Sequence, residues 1–251
     1  MMVSVWCHYA DSDINPDSEP MLTLLTFKPM LGLQAPSPFA LKADALLTMS
    51  GLDFTREHFS VIKAPRKKLP VLRDGDQLIP DSALIQRHLE TVHGVDFDGH
   101  LTKQDMATAT AFRRLVEHHL YFIAAWFRWE EHTGEVKNAY FEDVPALLRG
   151  VVFKMAMKTF RSTLHLQGLS RHTRDDLIAF ANEDIDAIAH HLGDNIWFMG
   201  DKLSSIDASV AGALENNLNC ILETPLTASI KNHPNLVAYC QRFRSELYGQ
   251  P

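Results

Sequence analysis

The hydrophobic pattern of this chain changes character near residue 100. Before that point, apolar residues form short runs separated by turn residues, and after Asp105 they recur only at helical spacing over long stretches. The change predicts a small α/β unit followed by an all-α unit, with the boundary near Val95 to Lys103. We expect a lead-in segment at 1–20, a first domain at 21–97 and an all-helical domain at 103–251.

The first unit has the order strand, helix, strand, hairpin, helix. Short β-prone runs at 22–27 and 54–62 predict two strands, and the helical spacing that ends at Gly51 predicts a helix between them. Asp74-Gly75 lies between two short apolar runs, which predicts a hairpin, and a helix follows over 81–93. A strand–helix–strand unit implies a parallel pair, to which the hairpin adds an antiparallel edge.

The second unit is predicted to consist of long helices. Ser204 and Asp207 have the spacing of a capping box at the start of one of them, although Asp is a shorter partner than the usual Glu. The predicted helices cover 103–131, 140–166, 171–192, 204–222 and 234–247.

Charge and cysteine content exclude several classes of protein. The chain has 24 Lys and Arg against 31 Asp and Glu, and its one basic run, Arg66-Lys67-Lys68, is short, so we expect no nucleic-acid partner. Three cysteines far apart in the sequence give neither a disulfide framework nor a paired-cysteine zinc motif. No secretory signal and no sufficiently long apolar run is present, so we expect a cytoplasmic protein without membrane insertion.

The histidine content raises the question of a metal centre, because the chain has 13 histidines. The adjacent pairs His118-His119 and His190-His191 lie on predicted helices, where neighbouring side chains point about 100° apart and do not converge on one ion. No His-Glu-x-x-His or comparable spacing is present. We therefore expect no metal site.

Two helix starts carry polar residues that are suited to a ligand. Ser37-Pro38 is a favoured helix start. The Ser37 hydroxyl would also lie at the positive end of the helix dipole, a position that favours a thiolate or another anion. Asp81-Ser82 is an N-cap signal, and its carboxylate and hydroxyl also suit the ammonium and carboxylate of an amino acid.

The third segment, Leu69-Pro70, has two interpretations. Pro70 is either an edge residue of the hairpin or a cis-proline. A cis-proline would turn the backbone N–H and C=O of Leu69 outward to pair with an extended peptide ligand.

The order of these segments resembles the glutathione S-transferase superfamily. Residues 21–93 resemble its thioredoxin-like N-terminal domain, and residues from about 103 onward resemble its helical C-terminal domain. Within it, the chain is similar to the bacterial branch of the metaxin-like and failed-axon-connections-like group. The motifs that carry this resemblance include Phe27-Lys28-Pro29, Gly32-Leu33, Ser37-Pro38-Phe39, Lys42-Ala43-Asp44, Lys68-Leu69-Pro70, Asp81-Ser82, Glu117-His118-His119-Leu120-Tyr121, Arg128-Trp129, Gly200-Asp201 and His233-Pro234-Asn235-Leu236.

The resemblance implies a glutathione site. Ser37 matches the residue that contacts the glutathione sulfur, and Leu69, before an expected cis-Pro70, would pair with the cysteinyl part. Lys68 matches a lysine that reaches the glycyl carboxylate, and Asp81 and Ser82 match the pair that binds the γ-glutamyl end. Ala40 stands where glutaredoxin-type relatives have a second cysteine, and the connection 32–36 is longer than usual.

The implied activity is a glutathione transferase, in which Ser37 stabilises the glutathione thiolate and a small electrophile binds against the helical domain. Four residues are candidates for that second pocket, although helix packing is the alternative for them. The other possibility is a binding or scaffold protein of the same fold without turnover. The family commonly forms homodimers, so we expect one here. The candidate pocket residues are Tyr121, Trp126, Arg128 and Trp129.

Overall fold

The structure is a computed structural model that describes residues 22–249, so the predicted lead-in at 1–20 lies outside the described residues. Its first part is built on a sheet of four strands, arranged in the order β2-β1-β3-β4. β1 pairs with β2 in parallel, and β3 pairs with β1 and β4 in antiparallel fashion, which confirms the predicted parallel pair with a hairpin edge. The strands are β1 (Leu22–Thr26), β2 (Phe54–His58), β3 (Val71–Asp74) and β4 (Gln77–Pro80).

Two helices complete the first part. α1 (Pro38–Ser50) connects β1 to β2, and α2 (Ser82–Thr91) follows the hairpin. Both helices contact the sheet and each other. The caps are as predicted, because the Ser37 and Asp81 side chains accept hydrogen bonds from backbone N–H groups in the first turns of α1 and α2, and Gly51 ends α1 in the left-handed conformation.

The rest of the described chain is helical, which confirms the predicted all-α second part. The helix predicted over 103–131 runs throughout, interrupted by π-helical segments at Val116–Leu120 and Phe127–Glu131. The helices are α3 (Lys103–Leu115), α4 (Tyr121–Trp126), α5 (Thr133–Tyr140), α6 (Ala146–Gln167), α7 (Arg174–Leu192), α8 (Ser205–Leu218), α9 (Pro225–Lys231) and α10 (Pro234–Tyr248).

Two helix predictions were wrong in detail. The helix predicted over 140–166 begins only at Ala146, because Pro145 stands at its N-cap and α5 is a separate helix before it. The short helix α9 lies outside the predicted helices, and it follows the N-cap residue Thr224 with Pro225 in its first turn.

The capping box at the start of α8 is confirmed, and it lies in the core. The Asp207 carboxylate accepts hydrogen bonds from the Ser204 backbone N–H (2.9 Å) and hydroxyl (2.8 Å). It also accepts from the Phe198 N–H (2.7 Å) and the Tyr239 hydroxyl (2.9 Å). The box therefore joins α8 to α10 as well as starting a helix.

The two parts share one hydrophobic core. Its buried residues include Leu24 and Leu46 from the first part and Phe127, Leu214 and Tyr239 from the second. α1 lies between β1 and α8, so it is buried on two sides rather than on one. None of the helices in residues 22–249 has the length and apolar character that crossing a bilayer requires.

Candidate functional site

The candidate site residues lie at one end of the sheet. Leu25 of β1 pairs with Val71 of β3, and Val71 also pairs with Pro80 of β4. These strand ends form one edge of the sheet, which contains the last residues of β1 and β4 and the first residue of β3. α1 and α2 begin at this edge, because each follows a strand that ends there and α1 runs back to a parallel strand. The topology thus brings the segments of Ser37, Leu69-Pro70 and Asp81-Ser82 together.

Ser37 lies at the N-terminus of α1 and is half-buried. Its backbone is extended (φ −137°, ψ 125°), and its Oγ accepts a long hydrogen bond from the Ala40 N–H at 3.4 Å. A hydroxyl oxygen that accepts from the helix keeps its own proton for another partner. Ser37 can therefore donate a hydrogen bond to an anion placed at the helix start, where the dipole also favours negative charge.

The connection before Ser37 is held by the helical part of the chain. The Pro36 carbonyl accepts hydrogen bonds from Arg128 Nη1 (3.3 Å) and the Tyr140 hydroxyl (3.2 Å). Asn216 Nδ2 donates to the Ala35 carbonyl at 3.2 Å. The extra length of 32–36 is therefore fixed against the second part of the molecule, so the position of Ser37 depends on both parts.

A tight turn at Gly32 brings the same connection against the segment after α8. The Ile221 N–H donates to the Leu31 carbonyl at 3.0 Å. Gly32 has a φ of +78°, and a Cβ there would lie 2.9 Å from Ile221 Cγ2 and 3.1 Å from the Asn219 carbonyl oxygen. Glycine is therefore required both by the backbone conformation and by the close approach.

The Leu69–Pro70 peptide bond is cis, which agrees with the second interpretation of this segment. Leu69 is buried and precedes Val71, the first residue of β3 that pairs in the sheet. The backbone N–H of Asp81 donates to the Pro70 carbonyl at 3.1 Å. The hydrogen bond joins the start of β3 to the start of α2 and places Leu69 beside Asp81.

Asp81 has a backbone conformation that is rare for a residue with a side chain, with φ 82° and ψ 130°. Its side chain is exposed, and Oδ1 accepts a hydrogen bond from the Ala83 N–H at 2.9 Å. A carboxylate has further acceptor positions, so Asp81 can cap α2 and bind a cation at once. Ser82 is buried directly behind it at the first helical position, and Lys68 is exposed next to Leu69.

A buried ion pair lies below Ser37, at the contact between α1 and the helical part. Lys42 Nζ is 2.6 Å from Glu117 Oε1, and the Ser209 hydroxyl donates to the same oxygen at 3.3 Å. Burial lowers the pKa of Lys42, and the Glu117 carboxylate opposes that shift. Two motifs that the sequence set 75 residues apart therefore meet here. A small crevice opens beside this pair and is lined in part by Pro38 and Phe39.

Three of the four predicted pocket residues do not form a common pocket. Tyr121 lies edge-on to Phe39 at 4.9 Å, close to the start of α1, and burial raises the pKa of its hydroxyl. Trp126 packs against the main core. Trp129 stacks on Phe160 (5.1 Å) in a second hydrophobic cluster. Of the three, only Tyr121 is near the crevice at the start of α1.

Arg128, the fourth candidate for the second pocket, is bonded within the protein. The side chain is buried, and besides Pro36 it donates to Asn216 Oδ1 (2.7 Å) and the Asn216 carbonyl (2.5 Å). Its guanidinium is occupied by protein oxygens, because a buried charge must be bonded. The position of Arg128 suits a role in holding the connection before Ser37.

Asn216 and Tyr140, which also hold this connection, were not identified from the sequence. No local pattern marks them, since their partners lie 181 and 104 residues away along the chain. The adjacent histidines make separate contacts, as their helical positions predicted. His119 Nδ1 is 2.6 Å from Asp184, whereas His118 contacts Arg114.

Known families match both parts of the chain. The glutathione S-transferase N-terminal domain family matches residues 38–134. The glutathione S-transferase C-terminal domain family matches residues 181–243. Both matches agree with the resemblance that the motifs indicate.

Individual proteins are similar to this chain over most of its length. The isoprene-epoxide–glutathione S-transferase of Rhodococcus sp. (strain AD45) is 29% identical over 240 residues, 90% of this chain and 99% of that protein. Failed axon connections of Drosophila melanogaster is 23% identical over 229 residues, 84% of this chain and 54% of that protein. Metaxin-2 of Homo sapiens is 23% identical over 189 residues, 74% of this chain and 72% of that protein.

Solved structures share the fold. The glutathione S-transferase of Ceriporiopsis subvermispora in complex with glutathione matches with a TM-score of 0.63 at 16% identity, over 90% of this chain and 97% of that chain. The predicted fold class, a thioredoxin-like part followed by a helical part, is therefore confirmed.

Proposed function

We propose that this chain, which belongs to the glutathione S-transferase superfamily, binds glutathione and transfers it to a small electrophile. The observation that carries the proposal is the shared edge of the sheet, where cis-Pro70, Asp81 and the start of α1 lie together. A peptide with an ammonium group, a thiol and carboxylates needs complementary groups at such a site.

Each group of glutathione has a candidate partner at this edge. The exposed carboxylate of Asp81 suits the ammonium of the γ-glutamyl end, and the first turn of α2 suits its carboxylate. The Leu69 backbone lies outside the sheet pairing and suits the cysteinyl amide. Lys68 is exposed beside it and suits the glycyl carboxylate. These pairings place the sulfur toward Ser37.

The proposed reaction is an addition or displacement by the glutathione thiolate. The Ser37 hydroxyl and the start of α1 favour the thiolate over the thiol and so lower the thiol pKa. The sulfur then attacks an electrophilic carbon. With an epoxide, the carbon–oxygen bond breaks as the carbon–sulfur bond forms, and the alkoxide takes a proton from water. We name epoxides as the first class to test, since isoprene epoxide is in the name of a relative.

Glutathione binding is tested first. We expect millimolar glutathione to raise the melting temperature of the wild-type chain, because a ligand that binds only the folded state stabilises it. Asp81→Asn keeps an oxygen for the helix cap but removes the charge, so it should weaken glutathione binding at least about tenfold in calorimetry. No stabilisation by glutathione would exclude both the binding and the transferase.

Turnover is tested with Ser37→Ala. We expect glutathione affinity to change little and the rate of conjugation to an epoxide or an activated aryl halide to fall at least about tenfold, since one pKa unit is a tenfold change in thiolate. Thr102→Ala is the matched control, because it also removes a helix N-cap but lies at the start of α3. Equal rates in Ser37→Ala and the wild type would remove Ser37 from the mechanism.

A binding protein without turnover is the second candidate. The packing of Trp126 and Trp129 and the bonded guanidinium of Arg128 favour it, because none of these three side chains lines the crevice at Pro38 and Phe39. The similarity to Failed axon connections and Metaxin-2, whose names state no transferase activity, also favours it. Glutathione binding together with no conjugation of any tested electrophile would support it.

A further inference from the structure

Two histidines and an aspartate converge at the other end of the sheet. Asp74 ends β3, His88 lies in the last turn of α2, and His93 follows that helix. Asp74 Oδ2 is 2.7 Å from His88 Nε2 and 2.8 Å from His93 Nε2. The two imidazole rings stand edge to face, with centroids 5.5 Å apart. Both imidazole nitrogens therefore point at one carboxylate oxygen.

The spacing of these three atoms suits a metal ion. The ligand atoms all lie within 4.8 Å of one another. In a tetrahedral site with bonds of about 2.0–2.2 Å, neighbouring ligand atoms are about 3.3 Å apart. The present distances of 2.7 and 2.8 Å need to open by only about half an ångström, which small side-chain rotations supply.

We propose that Asp74, His88 and His93 bind a divalent transition-metal ion, best matched by zinc, with water as the fourth ligand. Two imidazole nitrogens exclude a site built for calcium or magnesium, which prefer oxygen. Three protein ligands leave one position open, as zinc sites with an exchangeable ligand do. The side chains are 10–25% exposed, so they are held in place yet reachable by an ion.

The three ligands come from two segments of the chain, because Asp74 lies at the end of β3 whereas His88 and His93 lie on and after α2. A metal here would connect the hairpin to the chain after α2, across 19 residues of sequence.

The metal site is separate from the proposed glutathione site. Asp74 is four residues from Pro70 along an extended strand, about 13 Å. His88 is six residues from Ser82 along α2, about 9 Å. Zinc binding is therefore expected with or without glutathione, and the two proposals fail independently.

The test uses the full chain after treatment with a chelator. Titration with zinc chloride in a calorimeter should give one ion per chain, and cobalt(II) should give the intense visible bands of a four-coordinate site. His88→Gln and His93→Gln should each weaken zinc binding at least about 10- to 100-fold, since loss of an outer-shell partner alone has that effect. His165→Gln, an exposed histidine on α6, is the matched control and should bind as the wild type does.

A second variant separates binding from folding. Asp74→Asn keeps an oxygen that can accept hydrogen bonds from both histidines, so its circular dichroism spectrum should match that of the wild type. Its affinity for zinc should nevertheless be lower, because the ligand has lost its charge. Zinc should raise the melting temperature of the wild type but not that of the double variant His88→Gln/His93→Gln. Absence of one-to-one binding, or equal zinc affinity in the wild type and the double variant, would mean that the three groups form only a hydrogen-bonded clasp and would overturn the proposal.

Discussion

Single residues of the candidate site combine a structural and a chemical role. Ser37 and Asp81 are helix caps whatever the function, and the sequence identified them as such. Asp81 is unusual because a φ of 82° strains a residue with a side chain. Glycine would adopt this conformation freely, so an aspartate at this position lowers the stability of the fold. That combination favours a role for its carboxylate at the surface.

Asp81→Gly separates the two roles. Strain at such a residue costs about 1–3 kcal/mol, and glycine at an N-cap loses only a few tenths. We expect Asp81→Gly to raise the free energy of unfolding by about 1 kcal/mol after the entropy cost of glycine, and to weaken glutathione binding at the same time. Urea denaturation and calorimetry measure the two effects. Asp81→Asn should lose glutathione affinity without the gain in stability. A lower free energy of unfolding in Asp81→Gly than in the wild type would contradict the prediction that Asp81 is strained.

At the scale of elements, the packing of α1 decides how the site is built. The periodicity of its apolar residues predicts an amphipathic helix, whereas the structure buries Lys42 and Asp44 as well. Lys42 pairs with Glu117 of the second part. Asp44 accepts hydrogen bonds from Arg56 of β2 and from Tyr248 of α10, so its contacts reach both parts. Buried charges are tolerated there because each one has a partner.

The crossing of α1 and α8 is close because of a glycine. A Cβ at Gly212 would lie 3.1 Å from the Pro38 carbonyl oxygen and 3.4 Å from the Lys42 nitrogen. We expect Gly212→Ala to lower the free energy of unfolding by about 1–2 kcal/mol, because two backbones must separate. Chemical denaturation measures the change.

Gly150→Ala is the matched control for that substitution. Gly150 lies within α6, is exposed and has only the Lys137 Nζ near its missing Cβ, at 4.0 Å. Alanine is a better helix former, so Gly150→Ala should raise the free energy of unfolding by about 0.5–1 kcal/mol. If both variants shift stability in the same direction, the close crossing at Gly212 does not limit the packing of α1.

At the scale of the whole molecule, one core and several buried polar contacts join the two parts. Asp98, in the connection between them, accepts hydrogen bonds from the Ser205 backbone N–H (2.8 Å) and hydroxyl (2.6 Å). A buried carboxylate on α8 is less well satisfied. Within residues 22–249, Glu215 Oε1 has no hydrogen-bond partner, and Arg244 Nε lies 3.5 Å away.

The stability of the molecule should depend on pH through Glu215. Burial raises the pKa of Glu215 from 4.5 to about 7, and Arg244 opposes this only in part. The folded state therefore holds a proton that the unfolded state releases between these values, so the free energy of unfolding should fall as pH rises from about 4.5 to about 7. The total loss is about 3 kcal/mol and is complete above that range.

Glu215→Gln tests the prediction, because it keeps the shape of the side chain and does not titrate. Relative to the wild type, the variant should gain about 2–3 kcal/mol in urea denaturation on going from pH 5 to pH 8. Glu135→Gln changes an exposed glutamate on α5 and should follow the wild type at both pH values. A constant difference between Glu215→Gln and the wild type across this range would contradict the prediction.

The order and the type of the helices and strands follow from local patterns in the amino-acid sequence. Caps at Ser37, Asp81 and Ser204, the turn at Asp74-Gly75 and the change from strand to helix patterns are all set by residues a few positions apart. Local backbone conformation and periodic burial depend on near neighbours, so such features are visible in a single sequence. The motif order then indicated the family.

The contacts between polar side chains depend on how the elements pack. Lys42 and Glu117 are 75 residues apart, Arg128 and Asn216 are 88 apart, and Asp74 and His93 come from different elements. Asp74 and His93 are 19 residues apart and match no local ligand spacing, so the sequence does not mark them as a pair. Nothing local signals such contacts, because they depend on how the hairpin, α1 and the long helices pack. Arg128, a predicted pocket residue, therefore lies in the interior and donates a hydrogen bond to the connection before Ser37.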